Sequence, residues 1–226
     1  FDVAFDALLH RREAREPLQY VLGSTWFGPL ELKVGPGVFI PRPETEVMAD
    51  WAVRNADAPR LVDLCTGTGA LALYLRHYLP EAQVCAVELA DTALAYTEAN
   101  THGSGVEVIQ ADATAVDTLA QWNGTVDLIV TNPPYVPESP DLDPEVYHDP
   151  HDAVFAGADG MRVITRLIPT IARLLRPGGK VAIEHDDSTS DAVQAALVHY
   201  GGFEQIVPLQ DLTGTPRFVT AVRGVD

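Results

Sequence analysis

Leu61-Val-Asp-Leu-Cys-Thr-Gly-Thr-Gly69 is the stretch on which the fold turns. A short apolar run enters a turn with two glycines, and an apolar-periodic segment follows, so the order is strand, glycine turn, helix. Working outward, the same rhythm continues. Strands are expected at 61–65, 83–89, 106–111, 126–131, 180–185, 203–209 and 216–223, with helices near 69–79, 91–102, 158–175 and 188–200. Strands that alternate with helices build a parallel sheet covered on its faces, so the fold class is α/β. Thr213-Gly214-Thr215 is a connection too short for a crossover, and the last two strands are expected as a C-terminal antiparallel hairpin. Upstream, residues 26–40 read as two short strands around Gly35-Pro36-Gly37. Pro41-Arg42-Pro43-Glu44-Thr45-Glu46 then leads into a helix of about twelve residues. Residues 1–15 have a helical pattern stopped by Pro17, which leads to the expectation that more helical structure precedes them. The stretch 136–157, rich in Pro and Asp, is expected as a loop or lid over the site.

The glycine turn lets a ligand approach the backbone beside a helix N-terminus. Glu88 ends the next strand, about twenty residues on, where a carboxylate accepts the hydroxyls of a ribose. Asp112 closes the third strand and is placed to accept from an adenine amino group. The loop lacks the three-glycine dinucleotide fingerprint, and no Lys-Ser/Thr pair follows it to grip phosphate. A nucleoside cofactor without phosphates fits better than NAD or ATP. S-adenosylmethionine is such a cofactor, and its cationic ammonium and sulfonium suit acidic neighbours such as Asp63.

Asn132-Pro133-Pro134-Tyr135 follows the apolar strand 126–131, at the sheet end where open α/β folds bind ligands. The prolines stiffen the turn and remove two N–H donors while leaving their carbonyls as acceptors. An Asn side-chain oxygen and a proline carbonyl then face one planar –NH2 group, with a tyrosine ring to pack on it. That is a receptor for a carboxamide or an aromatic amine.

Composition narrows the substrate. The formal net charge is −17, and lysine occurs only at positions 33 and 180. Arg11, Arg12 and Arg15 form the one dense basic cluster, so the basic face that displaces counterions from a duplex is missing. The acidity suits a cationic cofactor or a basic protein partner instead. Cys65 and Cys85 are too few for a disulfide framework or zinc site and read as free thiols of a cytoplasmic protein. No stretch approaches the ~20 apolar residues of a membrane span. His148-Asp149-Pro150-His151-Asp152 reads as a polar loop because Pro150 breaks helical ligand spacing, and no metal is expected. His185-Asp186-Asp187 reads as a solvated strand end. Arg42 either pins its segment to an acid or touches substrate.

The chain resembles the protein-(glutamine-N5) methyltransferases of peptide chain release factors. The resemblance is carried by residues 41–46, the glycine turn, Asn132–Tyr135, Asp211-Leu212 and Pro216-Arg217-Phe218 in that order, with Pro17-Leu-Gln-Tyr20, Gly23 and Phe27-Gly28 upstream. It covers nearly the whole chain, and the segment 41–46 is its most specific part, since Asn-Pro-Pro-Tyr also occurs in DNA adenine-N6 methyltransferases. It implies a seven-stranded, Rossmann-like class I methyltransferase fold over 25–226, with 1–24 the remnant of an N-terminal helical substrate-docking domain. It implies S-adenosylmethionine held by Cys65, Thr66, Gly67, Thr68, Gly69, Glu88, Asp112, Ala113 and Asn132, with S-adenosylhomocysteine as product. It implies that Asn132, Pro133, Pro134 and Tyr135 bind the glutamine of a Gly-Gly-Gln tripeptide, with Asn132, Pro133 and Tyr135 carrying catalysis. The partner is a release factor, and the enzyme is expected as a monomer. Adenine-N6 methylation of nucleic acid by the same clamp is the alternative. Three positions depart from the family pattern. Cys65 replaces a frequent glycine, which argues against a left-handed backbone there. Ala113 replaces an aromatic found in some members, and Glu184-His185-Asp186-Asp187 replaces a more usual Glu-Ile-Gly.

Overall fold

The computed structural model describes residues 3–56, 60–138 and 143–225. Helices α1 (Val3–Glu13) and α2 (Leu18–Leu22) precede a two-stranded antiparallel sheet of β1 (Ser24–Phe27) and β2 (Leu30–Lys33). Then come α3 (Thr45–Asn55), β3 (Arg60–Leu64), α4 (Ala70–Tyr78), β4 (Gln83–Glu88), α5 (Asp91–Thr101), β5 (Glu107–Gln110) and β6 (Val126–Thr131). The remainder is α6 (His151–Val154), α7 (Arg162–Leu174), β7 (Leu175–Glu184), α8 (Ser190–Tyr200), β8 (Phe203–Gln210) and β9 (Pro216–Arg223).

The main sheet has seven strands in the order β5-β4-β3-β6-β7-β9-β8. β5, β4, β3, β6 and β7 pair parallel, and β9 lies antiparallel between β7 and β8. This is the seven-stranded class I methyltransferase arrangement, with the expected C-terminal hairpin. Sequence order reverses between β3 and β6, so the ends of these neighbouring strands open a crevice where ligands bind.

Strand residues alternate between two buried faces, which is why the central strands read as unbroken apolar runs. Val62, Leu64, Ile129, Val181 and Ile183 pack with Ile164, Leu167 and Ile171 of α7. Leu61, Ala86, Leu128 and Val130 pack on the other side with Met48 and Ala52 of α3 and Leu71 and Leu75 of α4. Leu167 and Leu75 are fully buried, and truncation of either to alanine costs about 2–5 kcal/mol.

Three expectations need correction. The N-terminal hairpin turns at Gly28-Pro29, not around Gly35-Pro36-Gly37. Gly28 takes φ 52°, which suits the tight turn, while 35–37 runs as a loop. β7 begins five residues early because Leu175 already pairs with Val126 before the register shifts at the glycines. His185 is not solvated. It is fully buried, because β9 continues beyond the end of β7 and the His185 N–H donates to the Arg217 carbonyl at 2.9 Å.

The predicted lid is more ordered than expected. It contains a 3-10 turn at Pro144–His148 and α6, and Val136 bridges to Phe155. Its positions 139–142 lie outside the described residues, as do Phe1 and Asp2 of the predicted N-terminal helix.

Candidate active site

A cavity of about 460 Å³ opens where β3, β4 and β6 end. Its wall includes Cys65–Thr68, Glu88, Asp112 and Ala113 on one side and Asn132–Tyr135 on the other, so the two sequence motifs meet in one space.

The glycine turn is held from outside. Gly67 has φ 57° and Gly69 φ 83°, a backbone that glycine adopts without strain. The space a Cβ would take at Gly67 is open, while one at Gly69 would press on Thr101 Cγ2 at 3.1 Å. Thr97 Oγ1 donates to the Gly67 carbonyl at 2.5 Å and Asn100 Nδ2 to the Thr68 carbonyl at 2.9 Å. These contacts from α5 fix the loop without filling the cavity. Cys65 is left-handed too, at φ 61°, so the replacement of glycine does not alter the turn. The strain of a side chain there is of order 1–2 kcal/mol, borne by the surrounding packing. Burial, followed by the charges of Glu88 and Asp63, pushes the Cys65 thiol well up, so it stays neutral.

Glu88 is 9% exposed and is held rather than solvated. Its Oε2 accepts from the Gly67 N–H at 2.8 Å, and Oε1 accepts from the N–H groups of Leu89 and Ala90, both at 2.9 Å. Oε1 is filled by its two donors, and Oε2 keeps a second lone pair for a ligand hydroxyl. Asp112 lies two residues beyond β5. Its Oδ1 accepts from the Thr114 amide at 2.8 Å and hydroxyl at 2.7 Å, and its Oδ2 lies 3.7 Å from Arg166 Nη2. Burial works against ionisation, but the Thr114 bonds and Arg166 outweigh it and hold the carboxyl below its usual range.

Asp63, under the turn, is fully buried. Its Oδ2 accepts from Thr66 Oγ1 at 2.5 Å and the Ala72 N–H at 3.1 Å, whereas Oδ1 is buried with no partner. Burial pushes the carboxyl up to about 7. Oδ1 is left as an unpaired buried carboxylate oxygen beneath the glycine turn.

The clamp is built on buried partners. Asn132 Nδ2 lies 3.4 Å from Thr45 Oγ1, and that hydroxyl donates to Glu184 Oε2 at 2.8 Å. Tyr135 Oη donates to Glu184 Oε1 at 2.9 Å, so the ring is fixed by its far end. Asn132 Oδ1 has no hydrogen-bond partner among the described residues. Burial raises the Tyr135 hydroxyl pKa, and it stays a donor. Thr45, Glu184 and Gly160 are participants that the motif reading missed. A Cβ on Gly160 would fall on the Tyr135 carbonyl oxygen, and its φ is 72°. The only sequence sign of Thr45 was its place in the segment 41–46.

Arg42 resolves as the pin. It donates to Asp149 Oδ2 at 2.6 Å, and Tyr20 Oη, which donates to the Val38 carbonyl at 2.6 Å, lies 3.1 Å from Asp149 Oδ1. Asp149 is thus committed to holding the lid, while Pro150, Asp152, Ala153 and Val154 line the cavity. Glu145, in the 3-10 turn, receives Arg12 at 3.0 Å and Arg15 at 2.6 Å, which ties the lid to α1. Asp211 and Arg217 of the C-terminal motif meet at 2.7 Å, and Asp211 also closes the Thr213–Thr215 turn.

S-adenosylmethionine fits these residues. The described wall has carboxylates at Glu88, Asp112 and Asp152 and one cationic side chain, Arg166. That charge balance suits a phosphate-free, cationic nucleoside.

Known proteins resemble this chain over nearly its whole length. The family described as "Methyltransferase small domain" matches residues 43–149. A release factor glutamine methyltransferase of Corynebacterium glutamicum is 56% identical over 223 residues, covering 96% of this chain and 80% of that one. That of Mycolicibacterium smegmatis is 54% identical over 224 residues, covering 97% and 79%. Among solved structures, a methyltransferase from Pyrococcus furiosus matches with TM-score 0.62 at 16% identity, covering all of both chains. The human Mettl16 catalytic domain matches with TM-score 0.67 at 15% identity, covering 88% of this chain and 77% of that one. At these identities the solved structures speak for the fold alone. Identity above one half over nearly the whole chain settles the family: this chain belongs to the release factor glutamine methyltransferases and is an S-adenosylmethionine-dependent methyltransferase.

Proposed function

We propose that this enzyme methylates the side-chain amide nitrogen, N5, of the glutamine in the Gly-Gly-Gln tripeptide of peptide chain release factors. The observation that carries the reading is the Asn132 amide. With Nδ2 directed to Thr45, Oδ1 remains as an unengaged acceptor on a residue that lines the cavity. The neighbouring Pro133 and Pro134 offer carbonyls and no N–H. The names of the relatives support the release factor as partner.

Cys65–Gly69, Glu88, Asp112, Ala113 and Asn132 hold the cofactor in this reading. Glu88 takes a ribose hydroxyl with the spare lone pair of Oε2, and the carboxylates around the turn suit the ammonium. When bound, S-adenosylmethionine supplies an electrophilic methyl carbon. The residues of the chain solve the other half of the problem, because an amide nitrogen shares its lone pair with its carbonyl and is a poor nucleophile. Asn132 Oδ1 and the Pro133 carbonyl each accept one N–H of the glutamine. Two acceptors set off the amide plane favour a pyramidal nitrogen and aim its lone pair along the line of displacement. The same oxygens match the positive charge that develops on nitrogen, and they are in place beforehand. Pro134 stiffens the turn, and Tyr135 confines the amide from one side. The proton leaves to water after the bond to carbon has formed. The α1–α2 segment through residue 24 belongs, in this reading, to a helical part that docks the protein substrate.

Transfer of labelled methyl to a release factor, set against duplex DNA, tests the substrate class. Label in the protein alone is expected. Label in the DNA alone would replace this reading with adenine-N6 methylation by the same clamp.

A further inference from the structure

The chemistry above leaves the buried acid Glu184 unused. Glu184 ends β7 and is 2% exposed, and both of its oxygens take hydroxyls from distant parts of the chain. When Glu184 is ionised, the protons in this cluster have one arrangement. A carboxylate only accepts, so Thr45 and Tyr135 must both give it their hydroxyl protons. The Thr45 oxygen then has lone pairs and no proton to offer, and it can meet only a donor. Asn132 must therefore turn Nδ2 towards Thr45, as observed at 3.4 Å, and present Oδ1 elsewhere.

We propose that Glu184 is a positioning residue: through Thr45 its carboxylate selects the Asn132 orientation that offers an acceptor to the substrate nitrogen, and through the Tyr135 hydroxyl it fixes the ring of the clamp. The role assigned to the acceptor rests on the glutamine-amide reading of the site. A protonated Glu184 loses the discrimination. Its own O–H must find an acceptor, and if that is Thr45, the Thr45 proton is freed to meet Asn132 Oδ1. The amide then reverses and sets Nδ2 against the substrate –NH2, donor against donor.

The charged groups around Glu184 come from several elements. Arg217 of β9 favours its ionised form and is itself paired with Asp211. Glu44, at the start of α3, opposes ionisation, and Arg42 acts on the neighbouring Tyr135. His185, next in the chain, is pushed down by burial. Burial outweighs the hydrogen bonds from Thr45 and Tyr135 and raises Glu184 to about 7. The two amide orientations are then expected to exchange as pH passes through that value.

The test uses the intact protein, with kcat for methyl transfer to a release factor measured from about pH 5.5 to 8.5. The wild type, at saturating cofactor, is expected to show kcat rising with an apparent pKa near the value of Glu184. Glu184→Gln should lower kcat about 10²-fold and abolish the rising limb. Thr45→Val should also lower kcat, and Thr45→Ser, which keeps the hydroxyl, should restore most of that loss. A second readout needs no substrate. The side-chain –NH2 resonance of Asn132 in the nitrogen-labelled protein should titrate with the same pKa, and should not do so in Glu184→Gln. A rising limb that survives in Glu184→Gln, an Asn132 resonance indifferent to pH, or full kcat in Thr45→Val overturns the proposal. If Glu184→Gln does not fold, the Thr45 pair and the wild-type titration decide it. A wild type that transfers no methyl to the release factor refutes the substrate reading instead, and the Asn132 titration then decides the positioning role by itself.

Discussion

The Arg42 guanidinium donates to the Asp149 carboxylate at 2.6 Å, across 107 residues of chain. The contact ties the proline-rich segment ahead of α3 to the foot of the lid. The Asp149 side chain is 1% exposed and that of Arg42 is 37% exposed. Removing the arginine leaves a buried carboxylate whose other side-chain neighbour, Tyr20, shares its one proton with the Val38 carbonyl. Breaking a fully buried pair costs about 3–5 kcal/mol, and solvent at the guanidinium reduces this to about 1–2 kcal/mol. Arg42→Ala is expected to lose that much in urea unfolding. Arg42→Lys should recover part of it, because a lysine keeps the charge but makes a point contact. Wild-type stability in Arg42→Ala would show that the pair is incidental.

Asn132→Ala removes the acceptor and leaves the cofactor turn untouched. Turnover should fall about 10²–10³-fold, the scale for losing one preorganised hydrogen-bonding group. Cofactor affinity, measured by calorimetry, should fall much less. Equal losses in both would mean that Asn132 serves binding and not the transition state.

Gly160 packs its α-carbon against the Tyr135 backbone. In Gly160→Ala the new methyl meets a carbonyl oxygen that cannot swing aside, and φ 72° adds strain. A loss of about 1–3 kcal/mol is expected, with kcat reduced because the clamp backbone must shift. An alanine variant with wild-type stability and kcat would show that the loop yields freely.

Asp63 makes opposite predictions for stability and for binding. Burial raises its folded pKa to about 7, above the ~3.9 of an unfolded aspartate. The fold therefore prefers the protonated form. The stability this contributes is complete below pH ~3.9 and is lost as pH rises through the folded value. Asp63→Asn carries no charge to bury, and its amide oxygen can still accept from Thr66 and Ala72. Relative to wild type it should gain about 1–3 kcal/mol at pH 8 and little at pH 4. Its cofactor affinity should fall, since the buried carboxylate near the turn is gone. A pH-independent difference between the two proteins would contradict the linkage.

Much of this molecule could be read from local pattern. The strand–glycine turn–helix unit at 61–79 and the strand before Asn132 were legible because apolar runs and turn residues act over short range. The N-terminal hairpin was misplaced because two glycine–proline marks compete there, and the choice of Gly28-Pro29 depends on Phe27 and Leu32 packing into the core. His185 read as exposed because only the pairing of β9, some thirty residues later, covers it. The Thr45–Glu184 and Asn132–Thr45 contacts join residues 139 and 87 apart. No periodicity reports such meetings, since they follow from sheet order and from the direction in which each strand ends. The cysteine at position 65 argued for an ordinary backbone by propensity, and tertiary packing overrode it.

The most direct test of the clamp is fragment-ion mass spectrometry of a release factor after incubation with the enzyme and S-adenosylmethionine. One added methyl on the tripeptide glutamine, placed on its side-chain nitrogen and absent with Asn132→Ala, is the predicted result. A methyl on any other residue, or full methylation by the alanine variant, would contradict the account.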